Sequence, residues 1–156
     1  MSVSFSGISP NNAPTNARAV LDANYIVNVN LPNAANVANT NALDLRNATP
    51  YPTTEEINIQ ILLAASNGAN SKNINCALQD ASANTDGTPN SGTWANVTGL
   101  ANPLLVSADN AGGGRTASNV IFKLQPGGKR FIRAQFTGEA NGGNASGANG
   151  TLQVLF

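Results

Sequence analysis

Side chains able to do acid–base or metal chemistry are few in this chain: eight carboxylates, one cysteine and no histidine. Without His, the Ser–His and Cys–His triads, the imidazole general bases and the His-ligated metals are all excluded. Among the carboxylates only Glu55 and Glu56 adjoin. Neighbours at the start of a strand point to opposite faces, which is the wrong arrangement for two cooperating carboxyls of a glycosidase. The pair reads as a charged, solvated strand edge.

Two loops carry a hint of ligand chemistry. Asp80, Ser82, Asn84 and Asp86 place oxygen atoms at alternate positions, as a wrapped calcium ion would need. An EF-hand loop also requires Gly at its sixth position and Glu at its twelfth, where this stretch has Thr85 and Ser91. Gly112-Gly-Gly-Arg115 lacks both the spacing and the Lys-Ser/Thr of a phosphate-binding loop, so it reads as a flexible linker. Four Asn-X-Ser/Thr acceptor patterns, at Asn47, Asn96, Asn144 and Asn149, are what chance supplies in a chain with 25 Asn. The expectation is a protein with no catalytic residues, no metal and no cofactor.

Charge excludes more. Eight basic and eight acidic residues cancel, and charged residues make up 10% of the chain against a usual share of about 25%. Neutralising a nucleic-acid backbone takes a concentrated set of Lys and Arg, so no nucleic-acid partner is expected. Lys129, Arg130 and Arg133 form one basic cluster, which strand geometry splits: Arg130 shares a face with Ile132, and Lys129 and Arg133 share the other. A partly buried Arg130 would require an acidic or carbonyl partner. The longest apolar run is about five residues and the start has no basic n-region, so neither a membrane span nor a signal peptide is expected. The single Cys76 leaves the redox compartment open.

The elements that must position these residues read as strands. Residues 1–24, with Pro10 and Pro14 among scattered apolar residues, are expected to form an extended arm. Tyr25–Leu31 is partly alternating. The 33–42 stretch reads as a loop or a poor helix. Ile57, Ile59, Ile61 and Leu63 have strict period two, and Ile74, Cys76 and Leu78 repeat it, which suggests a hairpin with Cys76 facing the core. Trp94–Val97 and Leu104–Val106 read as short strands, with Trp94 capping one side of the core. Residues 119–124 and 129–136 flank Pro126-Gly127, which suggests a second hairpin, with Val120, Phe122 and Leu124 on one face and Ile132, Ala134 and Phe136 on another. Residues 139–150 read as a loop before a final strand, 151–156. About eight strands and no amphipathic helix imply an all-β fold: residues 25–156 as one two-sheet sandwich, Greek-key or jelly-roll in type, behind the arm.

Several of these stretches in order resemble the cement, or head-decoration, proteins of tailed bacteriophages. They are Asn41-Ala-Leu-Asp-Leu-Arg46, Ile57-Asn-Ile-Gln-Ile-Leu-Leu63, Ala77-Leu-Gln-Asp-Ala-Ser82, Trp94-Ala-Asn-Val97 and Leu124-Gln-Pro-Gly-Gly-Lys-Arg-Phe-Ile-Arg133. The likeness covers about residues 40–156. It implies a small jelly-roll-like sandwich made in the host cytoplasm, placed on the outer capsid surface as a homodimer or homotrimer and linking neighbouring major capsid protein subunits. Phe5, Ile8, Arg18 and Val20 of the arm are the expected contacts with capsid or neighbour. Such a role needs contact area rather than reacting groups: a conventional interface buries roughly 1,600 Å² in total. The competing readings are a carbohydrate-binding adhesin module using Trp94 and the Asn-rich loop tips, and a hydrolase using Glu55/Glu56 or Asp80/Asp86.

Overall fold

The computed structural model describes residues 26–45, 57–66, 73–106, 115–124, 128–139 and 145–155. Within them the chain is almost entirely β, with one 3-10 turn at Ser91–Thr93 and no α-helix. Ten strands follow in order: β1 (Ile26–Asn30), β2 (Val37–Asn39), β3 (Leu43–Asp44), β4 (Ile57–Leu63), β5 (Ile74–Ala81), β6 (Ala95–Asn96), β7 (Leu105–Val106), β8 (Ser118–Leu124), β9 (Phe131–Gly138) and β10 (Asn149–Leu155). All their pairings are antiparallel.

The first sheet has the order β1-β10-β4-β8. The second runs β2-β9-β5-β6, with β3 beside β9 and β7 beside β5. β2 and β3 are two halves of one strand position: between Asn39 opposite Gln135 and Leu43 opposite Ile132, one extra residue is accommodated on the edge. That is a β-bulge, and Thr40 fills it. The Thr40 hydroxyl accepts the Ala134 N–H at 3.0 Å, and the Thr40 N–H donates to the Ala134 carbonyl at 3.0 Å. β6 and β7 likewise share one edge of β5, separated by the 97–104 excursion. Counted by position, four strands face four, and the chain changes sheet at every connection except those along the β5 edge and the β2/β3 bulge. This is the jelly-roll wrap.

Alternation builds the core. Ile59, Ile61 and Leu63 of β4, with Leu152 and Val154 of β10, turn inward from the first sheet. Cys76 and Leu78 of β5 and Ile132, Ala134 and Phe136 of β9 meet them from the second. Full burial of an Ile or Leu contributes about 1.5–3 kcal/mol, so these positions hold the layers together. Val120, Phe122 and Leu124 share the inward face of β8, as their spacing predicts.

Both expected hairpins are absent. β4 pairs with β10 and β8, whereas β5 pairs with β9, β6 and β7; β8 and β9 also lie in opposite sheets. Period two specifies which face of a strand is buried but not which strand lies beside it. In each pair the second strand crosses to the facing layer and turns its apolar side back on the first. Other corrections are local. The 33–42 stretch carries β2 in place of a loop or a poor helix, β5 extends through Gln79 to Ala81, and β10 begins at Asn149 inside the expected loop. The final strand is central, hydrogen-bonded on both sides.

Candidate functional site

The outward face of the second sheet is a continuous layer of amides and fixed charges. Register places Gln79 of β5 between Arg133 of β9 and Asn96 of β6, and Gln135 between Asn39 and Ala77. Gln79 Nε2 donates to Asn96 Oδ1 and to Gln135 Oε1, both at 3.3 Å, and Gln135 Nε2 donates to Asn39 Oδ1 at 3.2 Å. Arg133 Nε donates to Gln79 Oε1 at 2.9 Å. The Arg133 guanidinium sits 4.3 Å from the centre of the Trp94 ring, and partial burial there lowers its pKa. Trp94 is therefore half-buried on the outer surface and does not cap the core. Because Asn96 lies opposite outward-facing Gln79, the alternation carries Trp94 to the same side.

The basic cluster separates onto three partners. Lys129 Nζ pairs with Asp80 Oδ1 at 2.9 Å and reaches the Thr93 carbonyl at 3.4 Å. Arg130 finds the acidic partner its position demanded: Nε and Nη2 grip the two oxygens of Asp44, each at 2.8 Å. That carboxylate raises the Arg130 pKa. Arg130 also lies 5.1 Å over the Phe131 ring, so it turns toward the Phe131 side instead of following Ile132 inward.

The structure does not bring Asp80 and Asp86 together as ion ligands. Asp80 is occupied by Lys129, and Asp86 Oδ1 accepts from the Thr88 N–H (2.9 Å) and hydroxyl (2.6 Å). These bonds hold the Asp86 carboxyl below its usual pKa. The loop is a self-satisfied turn. Among the described residues no group of three or more Cys, Asp or Glu is placed to hold a metal ion. Cys76 is fully buried, and burial pushes its thiol up to about 12, which removes it as a nucleophile. Glu55, Glu56, and the arm residues Phe5, Ile8, Arg18 and Val20 lie outside the described residues.

Two features escaped sequence reasoning. Arg115, expected in a linker, is completely buried. Its backbone bridges to Ser66 in both directions, and its Nη1 and Nη2 donate to Ser66 Oγ (3.3 Å) and the Ala64 carbonyl (3.2 Å). Nothing in a Gly-rich run signals that its last residue is enclosed. The second is an open cleft of about 440 Å³ on the outward face of the first sheet. Asn28, Leu62, Ser118, Asn119, Asn149 and Thr151 line it, and no charged side chain is among its described lining. Its members come from four strands, so no local sequence window contains it.

Compared with known protein families and with curated protein sequences, the chain matches none.

Proposed function

We propose that this protein is a structural virion component that binds the outer surface of a tailed-phage capsid and ties neighbouring major capsid protein subunits together. The observation that carries this reading is the outward face of the second sheet. On that face Arg133 is held by Gln79 and Arg130 by Asp44, Lys129 pairs with Asp80 at its margin, and Gln135, Asn39 and Asn96 form a hydrogen-bonded neutral layer around the buried Gln79. A broad, rigid, weakly charged surface suits a protein neighbour, because little desolvation of free charge opposes contact. Many copies on one lattice then add avidity, roughly 10²- to 10⁴-fold, to modest single contacts. The resemblance in residues 40–156 points the same way.

Co-sedimentation with purified phage shells tests this, followed by cryo-electron microscopy of the decorated particle. Exterior density at regular lattice positions is the expected result. Failure to sediment with shells from the source sample overturns it.

The cleft favours one second reading, a carbohydrate-binding adhesin module. Its Asn, Ser and Thr groups over Leu62 offer neutral donors and acceptors beside an apolar floor, which is what a sugar ring presents in return. Glycan-array binding that is lost on Asn119→Ala, with no binding to shells, would select it.

A further inference from the structure

The four sheet edges are not equivalent. In the second sheet both are interrupted, by the bulge between β2 and β3 and by the excursion between β6 and β7, and no piece exceeds three residues. Short, broken edges resist pairing with other chains. The edges of the first sheet, β1 and β8, run unbroken, and β8 is the longer at seven residues, in continuous register from Leu124 opposite Ile57 to Ser118 opposite Leu63. It contains no Pro, no Gly and no bulge, and among the described residues it pairs with β4 alone.

Side chains along β8 show the same incompleteness. Ile59 and Ile61 on neighbouring β4 are fully buried, but Val120 and Phe122, their partners across the pair, are only half-buried. On the outward face Ile121 is 57% exposed, more than any other large apolar side chain described. Among the described residues the core is only partly covered along this strand, and one more strand with an apolar inner face would complete it.

The chain supplies a matching segment. Ser2-Val-Ser-Phe-Ser6 has strict period two, and Ile8, of opposite parity, would fall on the other face. We propose that this segment of one copy adds as an extra strand to the β8 edge of a second copy, with Val3 and Phe5 beside Val120 and Phe122 and Ile8 on the side of Ile121. Backbone hydrogen bonds supply affinity and the alternate apolar side chains set the register. A second copy is taken as the occupant, in keeping with the homo-oligomer that the resemblance implies: β1 and β8 are opposite edges of the sheet, so pairing with its own β8 would lay the segment across the sheet face. A neighbour whose β1 side lies along this β8 side delivers it directly. The 17 residues between Ile8 and Ile26 can span roughly 55 Å. Such a head-to-tail contact closes into a ring where the rotation between neighbours permits, and otherwise continues as a filament. The inference rests on the homodimer or homotrimer that the resemblance behind the proposed function implies.

Disulfide trapping in the full-length protein tests it. A Ser4→Cys chain is mixed with a mass-tagged chain carrying Asn119→Cys, Ile121→Cys or Lys123→Cys, and mildly oxidised; buried Cys76 does not compete. The expected result is a mixed-chain disulfide with at least one of the three. Val3→Asp/Phe5→Asp should reduce the light-scattering mass to that of one chain with an unchanged circular dichroism spectrum. No trapping from any of the three, trapping only when both cysteines share a chain, or an oligomer that survives the double substitution would each overturn the proposal. Trapping without shell binding sinks the capsid role and leaves the strand exchange standing; shell binding without trapping does the reverse.

Discussion

The ring of Phe136, reaching inward from β9, occupies the space that a side chain on Gly150 of β10 would take. A Cβ built at Gly150 overlaps three atoms of that ring. Two strands in opposite sheets are thus in direct contact, and their approach at this point depends on a residue with no side chain.

Gly150→Ala should therefore destabilise the fold by roughly 1–3 kcal/mol, the usual range for overpacking a core. Gly147, where an added Cβ meets nothing within 4 Å, provides the control and should tolerate Ala. Urea unfolding checks both, with a lower midpoint and unchanged slope expected for the first alone.

Thr40 ties the bulged edge to β9 through its hydroxyl. Thr40→Val keeps the shape and leaves the buried Ala134 N–H without that acceptor, which costs about 1–3 kcal/mol. Thr40→Ser restores the acceptor and should recover most of the loss. Destabilisation by Ser but not by Val, measured by denaturant titration, would show that the methyl group rather than the hydroxyl matters.

Arg115 combines complete burial with a guanidinium whose Nε has no hydrogen-bond partner. Burial lowers its pKa, so the charge is held at a cost. Arg115→Met keeps the volume and removes the charge, whereas Arg115→Ala opens a cavity. The Ala variant should be less stable than the Met variant by about 2–5 kcal/mol, read from the two unfolding midpoints.

Cys76 makes stability depend on alkaline pH. Its pKa rises from 9.0 to about 12 on folding, so the native state holds the proton more tightly than the unfolded chain. The contribution is complete below pH 9.0 and declines as pH rises from there toward about 12. Cys76→Ala should remove this part of the decline, and thiol reagents should label the wild-type chain only as fast as it opens.

Much of the architecture was legible in particular residues. The alternation at Ile57–Leu63 and at Phe131–Phe136 identified the strands and their buried faces, and the position of Cys76 followed from the same parity. Arg130 announced its need for a partner, because a guanidinium beside buried apolar residues cannot stay unpaired. Which acid would answer it was not legible: Asp44 lies 86 residues away in the chain.

The sequence by itself determined the all-β class and the inward and outward sides of the long strands. It also determined the absence of imidazole chemistry, because side-chain type and period two are local properties. Tertiary structure alone decided the jelly-roll order in place of two hairpins, the burial of Arg115, the outward turn of Trp94 and the neutral cleft across four strands. Those depend on which strands become neighbours, and that choice is set by packing two apolar layers against each other over long loops, a free-energy balance that no single segment encodes.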